Sequence, residues 1–404
     1  MAVGVPKFPV MRAVDGVLLG TYCAQIKQCV RDDLLVVEMD PESTCSAVFT
    51  QNAFCAAPVV LAKQNLRKDP RWLVINSGNA NAGTGAKGLQ DAQSICLTLS
   101  QIAGGRMEQV LPFSTGVIGE SLPVEKITQA LPKAIDNLSE DNWAQAAEAI
   151  MTTDTFPKGV SKVVSLDEGS ITITGISKGA GMIQPNMATM LSFVATDAKI
   201  EDGLLQRCLQ HAVEQSFNRI TVDGDTSTND ACVLMASGHS DVPELLEGSQ
   251  SYQHFCDVVN DVFSELAEAI VRDGEGATKL ISIVVSQAQN DQEAVRVGKT
   301  IAHSPLVKTA FFASDPNWGR ILAAVGRAGI EDFALDKVSI FLGEVCVVNS
   351  GTKDSQYTEA AGQKVMDAEE ITITVCLGRG VAQQTIKTCD LSYDYVRINA
   401  EYRT

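Results

Sequence analysis

No stretch of the 404-residue chain approaches the ~20 consecutive apolar residues that a membrane-spanning helix requires. Its opening, MAVGVPKFPVMRAVDG, lacks the basic-then-apolar layout of a secretory signal, so a protein neither embedded in a bilayer nor exported is expected. Paired cysteine motifs are missing as well. The eleven cysteines (Cys23, Cys29, Cys45, Cys55, Cys96, Cys208, Cys232, Cys256, Cys346, Cys376, Cys389) are odd in number, scattered and never in a CxxC pair. That argues against a disulfide framework or a zinc site and fits a reducing, cytoplasmic setting. His211, His239, His254 and His303 stand too far apart for HxH or HExxH, so no metal is assigned. Positive charge is in short supply: 32 Lys and Arg against 49 Asp and Glu leave a net charge of −17 with no basic cluster. Such a surface repels phosphate backbones, and nucleic acid is not expected as a partner. Neither a repeat nor a low-complexity linker interrupts the chain. Its length allows two or three domains, or one large layered unit, with a core that needs no cross-links.

What is present centres on residues 178–191, KGAGMIQPNMATML. Thr189 follows the small Ala188 in a segment with glycines at 179 and 181 and Pro185, where a hydroxyl can be held tightly turned and exposed. Such a Thr can attack its own upstream carbonyl. Once the ester hydrolyses, Thr189 becomes an N-terminus whose α-amine, of ordinary pKa roughly 7.7–8.0, lies within reach of its own hydroxyl as a general base. Cleavage thereby creates the catalyst. An anionic substrate would need a local cation in so acidic a chain, and Lys178 is the candidate.

Short β-branched runs at 34–37, 47–49 and 73–75 predict strands, followed by a helix over 87–102 with Leu89, Ala92, Cys96 and Leu99 on one face. Between them, residues 76–83 have neither GxxxxGK[ST] nor GxGxxG spacing and read as a loop of a substrate site rather than a phosphate cradle. In the run 111–119 a Thr115-Gly116 pair places a hydroxyl beside an unobstructed amide. Together they can offer two donors to a developing oxyanion, each worth roughly 3–4 kcal/mol. Helices are expected over 124–138 and 142–150, the second running into Met151-Thr152-Thr153-Asp154-Thr155. A hairpin over 160–166 and 170–176 leads into the cleavage segment, and a strand over 190–195 leaves it. Beyond a core-facing helical stripe from Leu204 to Phe217, residues 221–230 hold three carboxylates. A calcium loop starting at Asp223 would need Glu at its twelfth position and has Leu234, so a hydrogen-bonded turn that braces the site is expected. A long helix over 252–271, a Glu275 set between two glycines, strands over 280–285, 338–348, 370–377 and 383–388, and a docked Tyr- and Arg-rich terminus complete the chain.

KGAGMIQPNMATML, NSGNANAGTG, MTTDT, VDGDTSTND, DGEGATKL and DPNWGR, with FTQNAFCAAPV at 49–59, resemble the ornithine acetyltransferase (glutamate N-acetyltransferase) family of arginine biosynthesis over the whole chain. The resemblance implies Thr189 as nucleophile with cleavage at Ala188-Thr189, Thr115 and Gly116 as oxyanion hole, and Thr152, Lys178, Thr189, Glu275, Asn399 and Thr404 as substrate contacts. It implies an α+β fold, a layered αββα sandwich of sheets flanked by helices, matured into an N-terminal fragment 1–188 and a C-terminal fragment 189–404. These stay associated as a heterotetramer of two of each. The implied reaction is ping-pong transfer of acetyl from N2-acetylornithine to glutamate, without a cofactor; direct use of acetyl-CoA is left open. For Arg320 in DPNWGR a purely structural role is left open, and His303 stands where Asn or another small polar residue is expected. Two rivals remain on the residues alone: an autoprocessed aminopeptidase or amidohydrolase in which water is the acceptor, and a binding protein in which the loop is only structural.

Overall fold

The run Leu34-Leu35-Val36-Val37 is apolar at every position because its strand is buried on both faces. Leu34 and Val36 join one hydrophobic core while Leu35 and Val37 join another, as the two-residue period of a strand requires. The computed structural model describes residues 2–27, 31–184 and 190–401. By contacts the chain forms two units, a larger one of residues 7–218 and 225–270 and a smaller one of residues 1–6, 219–224 and 271–404.

Among the described residues the larger unit carries nine strands: β1 (Val17–Tyr22), β2 (Leu34–Met39), β3 (Thr44–Phe49), β4 (Trp72–Asn79), β5 (Val110–Val117), β6 (Lys158–Leu166), β7 (Gly169–Lys178), β8 (Leu191–Thr196) and β9 (Ala231–Ala236). They form a four-stranded sheet, β1-β2-β4-β5, and a five-stranded one, β3-β9-β8-β7-β6. The first sheet turns Trp72, Val74 and Val110 toward Ala92, Ile95, Cys96 and Leu99 of the helix Gly85–Ala103 and toward Ile127 and Ala130 of Val124–Asp136. Its other face, with Leu73, Ile75, Leu111 and Phe113, meets Leu191, Phe193, Ala231 and Val233 of the second sheet. Phe113 and Phe193 touch edge to face at 5.2 Å across that seam. On the far side of the second sheet the helix Asp202–Gln215 packs on β3 and β9. Helix Gln250–Arg272 buries Phe255, Val259, Val262, Phe263 and Leu266 at helical spacing. Helix, sheet, sheet, helix is the expected αββα layering.

The smaller unit is built on a six-stranded sheet of β10 (Leu280–Ala288), β11 (Ser339–Leu342), β12 (Val345–Asn349), β13 (Thr352–Lys353), β14 (Glu370–Cys376) and β15 (Ala382–Cys389), in the order β13-β12-β11-β14-β10-β15. Helices Asp291–Ala302, Pro305–Phe312 and Trp318–Gly326 share its core. Two expectations need correction here. The predicted strand 338–348 is a hairpin, broken where Gly343 takes a φ of +53° between β11 and β12. Cys23 is disulfide-bonded, so the cysteines are not all free thiols, although nine others are.

Candidate active site

Thr115 and Gly116 lie near the end of β5, beside Ser77 and Gly78 of the parallel strand β4. The register shifts at Gly78 and Asn79, so the strand pair is bulged where the two residues stand, a device that re-aims side chains. Gly116 has a φ of +134°, and a Cβ there would come within 2.3 Å of the Gly78 carbonyl carbon. Only glycine fits there.

Thr152 follows the helix Trp143–Ala149 in a short turn. Arg31 donates to the Met151 and Thr152 carbonyls at 2.8 and 3.1 Å, and the Ser77 hydroxyl donates to the Ala149 carbonyl at 2.8 Å. Lys178 ends β7 with its side chain half-buried. Its ammonium donates to Thr152 Oγ1 at 2.8 Å and to Thr115 Oγ1 at 3.2 Å. Three residues picked from separate motifs thus meet at one cation. Both hydroxyls accept from it, which leaves their own protons available, and neither donates among the described residues. A hydroxyl polarised in this way is the stronger donor.

Beneath the cation lies a carboxylate that sequence reasoning did not assign. Asp154 Oδ1 accepts from Lys158 at 2.7 Å and from the Gly179 amide at 2.7 Å, and Oδ2 accepts from the Thr152 amide at 2.9 Å. Burial works against its charge. The charges of Lys158 and Lys178, with the Lys158 and Thr152 hydrogen bonds, outweigh it and hold the carboxyl below the usual range. Asp230, also unassigned, is wholly buried with Oδ2 unpartnered; that burial, only partly offset by Ser227 and by the charge of Lys178, raises its carboxyl well above the usual range. The signal for both was visible as acids inside MTTDT and VDGDTSTND. Some partners are near in sequence, with Lys158 four residues after Asp154 and Ser227 three before Asp230, while Gly179 and Lys178 are brought in by packing.

The predicted substrate loop 76–83 spends its amides internally: Asn76 donates to the Asn79 carbonyl and accepts from Ser114 at 2.6 Å, and Asn81 donates to the Gly88 carbonyl. The expected bracing turn is present, with Asn229 donating to the Ala80 and Ser114 carbonyls. In the smaller unit, Glu275 sits in a buried turn and accepts from Asn399 at 2.8 Å. That turn is packed against the helix Tyr393–Ala400, whose cap Ser392 donates to the Gly276 carbonyl, so the expected docking holds for the terminal segment as far as it is described. Arg320 donates to the Leu306 carbonyl at 2.7 Å, a structural contact. Thr189 with the Ala188-Thr189 bond, and Thr404, lie outside the described residues. Among the described residues no cluster of His, Cys, Asp or Glu could hold a metal, and no helix is long and apolar enough to cross a membrane.

Layered sheets flanked by helices, with two threonine hydroxyls held by one lysine ammonium beside Gly116, describe an α+β protein with the polar centre of an enzyme. The chain belongs to the ArgJ family, whose model matches residues 18–404. It is 61% identical over 391 residues, 97% of this chain and 96% of that protein, to the arginine biosynthesis bifunctional protein ArgJ of Methylococcus capsulatus. To the protein of that name from Pseudomonas syringae pv. tomato it is 54% identical over the full length of both. The crystal structure of ArgJ from Bacillus halodurans is similar at a TM-score of 0.51 and 44% identity, covering 52% of this chain and 99% of that one. The family's enzymes are acetyltransferases of arginine biosynthesis, and the expectation of an acyltransferase is met at that level.

Proposed function

We propose that this chain moves acetyl from N2-acetylornithine to glutamate through an acetyl ester on Thr189. The observation that carries the reading is the convergence of Thr115 and Thr152 on the Lys178 ammonium beside the Gly116 amide. In the first half-reaction the Thr189 hydroxyl attacks the acetyl carbonyl and gives its proton to the α-amine. The Thr115 hydroxyl and Gly116 amide donate to the oxyanion, and ornithine leaves with the proton. In the second, glutamate's amine attacks the ester and Thr189 recovers its hydroxyl. Lys178 and Thr152 hold a substrate carboxylate; Glu275, set by Asn399, receives a substrate ammonium, and Thr404 contacts substrate.

The α-amine arises by cleavage at Ala188-Thr189, giving fragments 1–188 and 189–404. A solved relative whose chain is matched along 99% of its length by 52% of this one supports a two-fragment product. The fragments remain associated as a cytoplasmic heterotetramer and need no cofactor. Because the relatives are named bifunctional, acetylation of glutamate from acetyl-CoA is the second activity we assign.

The test is the intermediate. Denaturing gels should show bands of about 20 and 23 kDa, the 43.1 kDa chain divided as 188 and 216 of its 404 residues. Quenched with N-acetylornithine alone, the larger fragment should carry one acetyl group at Thr189, and glutamate should discharge it as N-acetylglutamate. Aminolysis outruns hydrolysis if the acceptor is positioned, an effect worth up to ~7–11 kcal/mol. Release of free acetate at a rate indifferent to glutamate would instead favour the hydrolase.

A further inference from the structure

Asn229, on the segment before β9, is buried and has every polar group of its side chain engaged. Nδ2 donates to the Ala80 carbonyl at 2.6 Å and to the Ser114 carbonyl at 2.9 Å, while Oδ1 accepts from the Thr228 hydroxyl at 2.6 Å. Both carbonyls flank the Thr115-Gly116 corner. Ser114 is the residue before Thr115, so its carbonyl belongs to the peptide that carries the Thr115 amide, and a planar trans peptide held at its oxygen is held throughout. Ala80 lies just past the bulge at Gly78 and Asn79, and its amide donates to the Val117 carbonyl at 2.9 Å. One side-chain amide therefore fixes the chain immediately before the corner and, through Ala80, the chain immediately after it. The Ser114 hydroxyl is tied separately to Asn76 at 2.6 Å.

From this geometry we infer that Asn229 is a positioning residue for the oxyanion donors, holding the peptide planes around Thr115 and Gly116 without touching substrate. The inference rests on the reading of Thr115 and Gly116 given above. Oxyanion donors stabilise a transition state only when they are preorganised to within a few tenths of an ångström of the developing charge. A backbone corner on a bulge has lost part of its ladder of hydrogen bonds, and a buried amide bridging its two sides replaces them.

The test is a double-mutant cycle on the full chain, with rates normalised to the fraction cut at 188–189. Asn229→Ala should lower kcat by about 10–100-fold with KM for both substrates held within about twofold, because the corner shifts and binding does not. On a Thr115→Ala background the same change should cost less than about threefold, since residues acting through one another are not additive. Full additivity, or a loss confined to KM, overturns the inference. Thr115→Ala without effect would instead remove the oxyanion reading itself. Should Asn229→Ala fail to fold, Thr228→Val decides: it keeps the Asn229 side chain, frees its Oδ1, and should lower kcat about 3–10-fold with the same non-additivity. An unchanged kcat in that variant overturns the inference.

Discussion

Lys158 and Asp154 form an ion pair at 2.7 Å with both side chains wholly excluded from solvent. The same carboxylate accepts from the amides of Thr152 and Gly179, so it fixes the turn that carries Thr152 to the residue following Lys178. Removing one partner of such a pair strands the other. Asp154→Asn should therefore destabilise the protein by about 3–5 kcal/mol. The sign with pH follows from the depressed carboxyl. Its contribution is present above the unfolded value near 3.9 and is lost as pH falls through the lower folded value. Urea midpoints of the two proteins should differ by a constant amount between pH 6 and 8 and converge in acid. Equal midpoints at neutral pH would mean that the pair holds nothing.

A second expectation concerns the backbone of the site. With φ at +134° and Gly78 atoms within 2.6 Å of any Cβ, Gly116→Ala must push β5 away from β4 and displace the proposed oxyanion donors together. A fall in kcat of about 10²-fold is expected, the scale of losing one donor. Gly104→Ala is the contrast: its φ of +75° is also left-handed, but nothing lies within 4 Å of the added carbon. It should cost roughly 1–2 kcal/mol of stability and leave kcat alone. Equal kcat losses in the two variants would show that backbone strain in general, rather than the corner, governs the rate.

How much of this was legible in the sequence depends on the range of the interaction. The strands buried on both faces and the helix Gly85–Ala103 follow from local periodicity, and their bounds are close to those expected. The helices Ala57–Asn65, Asp291–Ala302 and Glu359–Met366 were not read. The second of these carries an explicit start signal, with Asn290 capping Glu293 and acids in the first turn. Thr115 and Lys178 stand out for the chemistry they offer and Thr152 for its place in a motif that resembles a known family, and no spacing places the three together. Their meeting depends on β5, β7 and the turn after Ala149 being brought side by side, which only tertiary packing does. Arg31 and Asn229 escaped for the same reason, because each acts on backbone carbonyls contributed by packing, which leave no mark in a sequence; Asp154 and Lys158 are only four residues apart, but nothing local shows that their pair is buried.

Asp230 provides the last expectation and bears on how an acidic chain receives an anion. The charges of Lys158 and Lys178 both act on Asp154, and that of Lys178 acts on Asp230 as well. Complete burial and an unpartnered Oδ2 keep Asp230 protonated over an extended range, against the opposing charge of Lys178 and the Ser227 hydrogen bonds. A protonated Asp230 adds no negative charge beside Lys178. For stability the sign is opposite to that of Asp154. The folded state keeps a proton that the unfolded chain gives up above about pH 3.9, so this group weakens the fold as pH rises from there toward its raised folded value. Asp230→Asn preserves the shape and cannot ionise. The variant should gain in urea midpoint over the parent as pH is raised from 4 to 8, with the smallest difference at pH 4. A difference that does not vary with pH, or a parent that gains on the variant toward pH 8, would show that Asp230 is ionised in the folded protein.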